Sequence, residues 1–264
     1  HRQPLAHAPV RAALGGRIAL TAAERADLVV IAHWKDLAAL PPMAAGQGLV
    51  LMSEEPFWDT LWTPQPFRRR RPLPEGHALA GRRLTLLNHF TSRIFAFDRL
   101  PYFPLTDQRF AERYAAMCAE NARQSAEEWR RRLAAAPLAA AFLAERREHP
   151  NHDIAFPEAG VMGLAAHRTR IALAAARAGG EAVLCAGAGW GEGPRRQDLP
   201  DWHADKLARL TGRCRTISAI ENTHHPDYVT EKPFDAFAAG AVPLCIAGQG
   251  HRLHDLLPAG AWLD

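Results

Sequence analysis

Residues 221 to 240 read ENTHHPDYVTEKPFDAFAAG and gather Glu221, Asn222, Tyr228, Glu231 and Lys232 in one short segment. Carboxylates accept hydrogen bonds from hydroxyl groups, and an ammonium meets an oxyanion. Together these side chains suit a ligand that carries both sugar hydroxyls and phosphate. Lysine is scarce, confined to Lys35, Lys206 and Lys232 among 32 basic residues, with arginine supplying the rest. Where arginine is the default cation, a lysine at the mouth of a helix suits a compact point charge for a phosphate. A plainer reading makes Glu231 an acid favoured by the helix dipole and Lys232 a solvated cation.

The neighbouring sequence supplies elements to position these groups. RTISAI (215–220) reads as a strand that delivers Glu221 and Asn222 to its carboxyl end. Thr230 is the expected N-cap, Pro233 falls in the first helical turn, and Gly240 stops the helix. Upstream, the spacing predicts a helix over 164–178, a strand over 182–187 and a helix over 201–211; AVPLCIAG follows at 241–248. This alternation predicts an α/β unit with a parallel sheet, whose ligand lies beyond the carboxyl ends of the strands. A helix N-terminus there adds free N–H groups for an anion.

The first half carries three apolar runs, ADLVVIAHWKD, GLVLMSEEP and LTLLNHF, of the kind that suits strands buried on both faces of a parallel sheet. Five prolines and the RRRR run (68–71) predict a loop between the second and third. Residues 106–149 predict two consecutive helices broken at Pro137, and the composition shift at PNHDIAFPEAG places a domain boundary at 150/151. Glu54 and Glu55 end the second strand run. Successive residues of a strand point to opposite faces, so only one of them can be aimed at a ligand. Arg168 and Arg170 lie about 200° apart on the predicted helix, so only one of them can face a ligand.

Other features exclude function classes. Cys118, Cys185, Cys214 and Cys245 are dispersed, which fits a reducing compartment. The pairs His149/His152 and His251/His254 lack a third ligand at a metal-site spacing, and no Asp-x-Asp occurs, so no metal is expected. AGAGWGEG lacks the glycine spacing of a dinucleotide fingerprint. The longest apolar stretch, LAAAPLAAAFLA, is short and proline-broken, and no transmembrane segment is expected. The expected location is the cytoplasm, free or at the inner face of a membrane. A net charge of +4 favours anionic partners in general, but aromatic residues do not interleave the RRRR run as in nucleic-acid binders.

The stretch IENTHHPDYVTEKPFDAFAAGAVPLCIAG resembles the signature of the α-1,3/1,4-fucosyltransferases, inverting glycosyltransferases with Phe-Glu-Asn-Ser, Asp-Tyr-(Val/Ile)-Thr-Glu-Lys and Ala-Gly-x-(Val/Ile)-Pro at this spacing. ADLVVIAHWKDL resembles the family's early Ala-Asp strand, and SEEP stands where many members have Glu-Ser-Pro. Ile220, Thr223 and Pro233 depart from the usual aromatic, serine and aliphatic residues. The resemblance implies a GT-B fold, two Rossmann-like domains with parallel sheets facing across a cleft. Residues 1–150 would form the acceptor side, and 151–264 would bind GDP-fucose, short of the family's final helix. Glu231 would meet the ribose, Lys232 and Arg168 the diphosphate, and Tyr228 the nucleoside, with Glu221 and Asn222 lining the same site. Glu54, with Glu55 as runner-up, would be the catalytic base that activates an acceptor hydroxyl. The implied activity moves L-fucose from GDP-fucose to an oligosaccharide or glycoconjugate without a cofactor. The alternatives are another nucleotide sugar on the same fold, or an anionic-polymer or nucleic-acid binding module.

Overall fold

Short apolar runs punctuated by glycine and polar turns set the first sheet. The computed structural model describes residues 8–54, 65–73, 75, 78–103, 107–191 and 196–264. After a short helix, α1 (Ala8–Ala13), come β1 (Leu28–Ile31), β2 (Gly48–Met52), β3 (Arg70–Pro72) and β4 (Arg83–Leu87). They form one sheet in the order β1-β2-β4-β3, with β1, β2 and β4 parallel and β3 antiparallel to β4. Alternate residues Val29, Ile31, Leu49, Leu51, Leu84 and Leu86 build the core. Burying each such side chain contributes about 1.5–3 kcal/mol relative to leaving it exposed.

Two expectations need correction here. The edge strand β1 leaves Leu28 and Val30 exposed, so it is buried on one face rather than two. The proline- and arginine-rich segment contains β3, and Pro72 is accommodated because an edge strand can dispense with one ladder donor. Within β3 Arg71 is buried, its guanidinium 4.4 Å above the Trp34 ring.

The second unit begins at Phe97, since the compact units divide between Ala96 and Phe97 rather than at 150/151. The composition shift near 150 marks a turn-rich connection inside this unit. Helices α2 (Gln108–Asn121) and α3 (Ala126–Ala135) are separated at 122–125, before the expected Pro137 break. A capping box starts α3, with the Ser125 N–H donating to Glu128 and the Glu128 N–H to the Ser125 hydroxyl. After Pro137 the chain is not helical: Leu138–Leu143 is β5. LAAAFL is alanine-rich, yet burial between two parallel neighbours overrides its helical propensity.

There follow β6 (Ala155–Phe156), β7 (Val161–Gly163), α4 (Ala165–Gly179), β8 (Val183–Ala186), α5 (Trp202–Leu210), β9 (Cys214–Ser218), β10 (Thr223–His224), α6 (Lys232–Ala238), β11 (Val242–Leu244) and α7 (Leu253–Leu256). The main sheet runs β11-β9-β5-β8, all parallel, and β10-β7-β6 form a small antiparallel sheet. Ala141, Ile217, Leu207 and Leu210 pack with Ala236 and Ala238 of α6. Gly240 ends α6 at φ +73°, and a Cβ there would lie 3.2 Å from the Trp129 ring, so both backbone and packing demand glycine. No described helix is long and apolar enough to cross a membrane.

Candidate functional site

β9 ends at Ser218, and the next residues, Ala219 and Ile220, are buried, which carries Glu221 beyond the carboxyl end of a parallel strand. There the Glu221 carboxylate is held by three donors: the Thr230 N–H at 2.8 Å, the Thr230 hydroxyl at 2.7 Å and Lys232 Nζ at 2.5 Å. Lys232 Nζ also reaches Thr230 Oγ1 at 2.9 Å. Thr230 accepts the Lys232 N–H only at 3.4 Å, too long for a firm cap on α6. Its side chain goes back to Glu221, and Glu231 takes the cap position without a side-chain cap bond. Burial pulls the Lys232 ammonium down, but Glu221 and Glu231 outweigh it and leave its pKa above the ordinary value. Its charge is fixed. Among the described residues the Glu231 carboxylate, half-buried at the turn, makes no hydrogen bond.

Arg168 approaches from α4. The Leu164 N–H donates to the Asn222 carbonyl at 2.8 Å, seating the start of α4 against the segment after β9. Buried Arg168 then donates from Nη1 to the Ile220 carbonyl at 2.9 Å, and its charge acts against that of Lys232. Two cations and two carboxylates, Glu221 and Glu231, thus act on one another at this turn, and their charges balance. Arg170 is exposed and pairs with Asp153, with Nη1 at 2.6 Å from Oδ2. Tyr228 is fully buried, with the Phe103 ring edge-on at 5.1 Å. Tyr228, Glu221, Pro233, Cys245 and His251 line a narrow recess behind the turn. Burial, reinforced by His224, His254 and His225, pushes the His251 imidazole down to about 4, so it is neutral near pH 7.

α6 has only seven residues, so its dipole is a minor part of the site and the side chains carry the charge. Beneath it lies a polar cluster that sequence reasoning missed. Asp235, with no exposed side-chain surface, accepts from His203 Nε2 at 2.6 Å, Lys206 Nζ at 2.7 Å and the Tyr114 hydroxyl at 2.6 Å. Burial raises the Asp235 pKa, but Lys206 and His203 overcome it and set the value at about 2. Burial and Asp235 together push the Tyr114 phenol well above its usual range. His203 and Lys206 stand three residues apart on one face of α5, and that spacing was the available signal.

Glu54 lies half-buried past the end of β2 in the first unit, two residues beyond the strand. Glu55 lies outside the described residues. Among the described residues no group of three or more His, Cys, Asp or Glu side chains is placed to hold a metal.

In parallel α/β units the region just beyond a strand's carboxyl end, where these cationic and acidic side chains stand, is where ligands lie. Comparison with known proteins is narrower. Residues 189–264 match the family described as "Glycosyltransferase family 10 (fucosyltransferase) C-term". Similar relatives include the Bos taurus 4-galactosyl-N-acetylglucosaminide 3-alpha-L-fucosyltransferase 9, 31% identical over 68 residues, 25% of this chain and 19% of that protein. Bos taurus Alpha-(1,3)-fucosyltransferase 4 is 35% identical over 75 residues, 28% of this chain and 18% of its own. The Homo sapiens fucosyltransferase 9 is 34% identical over 50 residues, 19% of this chain and 14% of its own. Each match thus spans less than a fifth of the relative's length. The similarity to the fucosyltransferase family thus rests on this C-terminal segment.

Proposed function

We propose that this protein is an inverting glycosyltransferase that moves L-fucose from GDP-fucose to a hydroxyl of a glycan acceptor. The observation that carries the reading is the Lys232–Glu221–Thr230 knot with Arg168 beside it, lying within and against the segment matched to the family. Lys232 and Arg168 neutralise the diphosphate as it leaves, and the Glu231 carboxylate accepts from the ribose hydroxyls. Tyr228 serves the nucleoside side, and Asn222 and Glu221 line the same site. With a phosphate as leaving group, no second acid is needed to protonate it, in contrast to glycoside hydrolysis.

Inverting displacement needs one base for the attacking hydroxyl, and Glu54 is the residue assigned to it, in a GT-B arrangement of two Rossmann-like domains. GDP-fucose and an oligosaccharide or glycoconjugate are then the partners, with the cytoplasm, free or at a membrane's inner face, as the location. The first unit takes the acceptor and the second the donor.

The experiment is a thermal-shift panel of nucleoside diphosphates with and without chelator. A ligand confined to the folded state adds about 2.7 kcal/mol at a hundredfold excess over its dissociation constant. GDP is expected to stabilise more than UDP, CDP or ADP, and to do so in chelator. A larger shift with UDP overturns the donor assignment. For the base, Glu54→Ala is expected to keep GDP affinity while fucose transfer falls by about 10²- to 10⁴-fold.

A further inference from the structure

Asp235 stands in the first turn of α6, the helix that begins with Lys232 and is preceded by Glu231. A seven-residue helix does not hold its own shape in water, so its position is set by what packs on it. Two helices grip it here through one carboxylate. Asp235 Oδ1 takes His203 of α5 and Tyr114 of α2, each at 2.6 Å, while Oδ2 takes Lys206 of α5 at 2.7 Å. Using both oxygens in different directions fixes the rotation of α6 as well as its height. Asn121 Nδ2 holds the far end of α6 through the Phe237 and Ala238 carbonyls at 2.8 and 3.0 Å, so Asp235 is what fixes the end that carries Lys232.

The grip extends in both directions. Arg113 Nη1 donates to His203 Nδ1 at 2.9 Å, which leaves the ring proton on Nε2, where it points to Asp235. Arg113 is held in turn by Asp201, the N-cap of α5. On the other side the Tyr114 oxygen lies 3.3 Å from the Glu231 carbonyl, against the backbone of the turn itself. A polar chain therefore runs from the start of α5, through Asp235, to the residue that presents the Glu231 carboxylate.

We propose that Tyr114, His203, Lys206 and Asp235 form a positioning device for the donor turn, setting where Glu231 and Lys232 stand without touching the ligand. This rests on the donor reading above. A purely structural cluster would lower stability when cut but leave the folded fraction with normal affinity. A positioning cluster loses affinity in the folded protein, because the turn no longer waits in the binding geometry.

The test is GDP affinity by titration calorimetry, at a temperature where circular dichroism finds each variant folded, combined with amide exchange over residues 231–239 without ligand. Tyr114→Phe deletes one oxygen and keeps the ring. His203→Leu removes the donor to Asp235, and His203→Gln returns an N–H near the same place. Tyr114→Phe and His203→Leu are expected to raise the GDP dissociation constant about three- to tenfold and to speed exchange across α6, with His203→Gln recovering most of both. Wild-type affinity in the folded variants overturns the proposal and leaves the donor reading standing. If His203→Leu does not fold, Tyr114→Phe alone decides. A wild-type chain that binds no GDP overturns the donor reading and the proposal together.

Discussion

Both lysines of the second unit meet a carboxylate at α6, and the two pairs differ in what else surrounds them. Lys206 and Asp235 are sealed, with 10% and 0% of their side chains exposed, and the carboxylate is filled by two further donors. Lys232 and Glu221 are 17% and 9% exposed, and a second cation, Arg168, acts on the lysine. A pair whose charges cancel in the interior holds elements together. A pair beside a partly open turn that also carries Arg168 and the Glu231 carboxylate has further charged groups to offer a ligand. The contrast teaches that burial alone does not separate a structural ion pair from a binding one; further charged groups at an open turn beside the pair, here Arg168 and Glu231, do.

Cutting the sealed pair gives the largest effect. Asp235→Ala leaves Lys206 charged and buried with no carboxylate, and such unpaired burial costs about 3–5 kcal/mol. Denaturant unfolding should register that loss directly. A change within experimental error would mean that Lys206 reaches water in the native state, and the contrast between the two pairs would collapse.

The open pair was legible in the sequence and the sealed pair was not. Glu221, Tyr228, Glu231 and Lys232 are close along the chain, and local signals placed them on one strand-to-helix turn. Tyr114, His203 and Asp235 come from three helices separated by most of the unit, and only folding brings them together. The scarcity of lysine was informative in an unexpected way. It singled out Lys206 and Lys232 alike, but both meet carboxylates, whereas a phosphate partner was expected for a lysine at a helix mouth. The misplaced strand β5 has a physical cause too: alanine-rich LAAAFL carries a helix composition, and only parallel neighbours on both sides make it a strand. Thr230 is a weaker cap than expected, because a local rule cannot see that Glu221, nine residues earlier, draws its hydroxyl and leaves the Lys232 N–H 3.4 Å away.

The open pair should answer to ligand more than to unfolding. Lys232→Ala removes a charge-assisted phosphate contact, and GDP binding is expected to weaken by about 1.5–3 kcal/mol, with Arg168→Ala similar. Calorimetric titration measures this. Thr230 still satisfies Glu221 in the Lys232 variant, so stability should fall by less than binding. Equal losses in both would place Lys232 with the sealed pair as a structural residue.

Acid titrates the sealed pair. Asp235 is held at about 2, below the ordinary carboxylate value of 3.8, so its folded form favours the charged state. Its contribution is present above about pH 4 and is lost as the pH falls toward 2, and the shift corresponds to about 2 kcal/mol. His203, Lys206 and Tyr114 are the groups that face it. Asp201, depressed further by its bond to Arg113, adds to the same slope. Unfolding free energy measured from pH 5 to pH 2 should therefore fall more steeply in the wild type than in Asp235→Asn. Parallel curves would contradict the assignment of the charge to Asp235.

The smallest effect calibrates the other end of the series. Arg170 pairs with Asp153 in open solvent, with 57% and 38% of the side chains exposed, and lies two residues from Arg168 on the opposite side of α4. Exposed pairs contribute little because water screens them and two long side chains must be ordered. Arg170→Ala is expected to leave both unfolding and GDP affinity unchanged within about twofold. Arg168→Ala, measured beside it, should weaken GDP binding because that side chain turns inward to the Ile220 carbonyl and the lysine. If the two variants lose affinity equally, helix position does not decide which arginine serves the anion, and long-range charge alone would account for the site. If Arg170→Ala is the weaker binder, α4 presents its other face to the ligand, and the assignment of Arg168 falls.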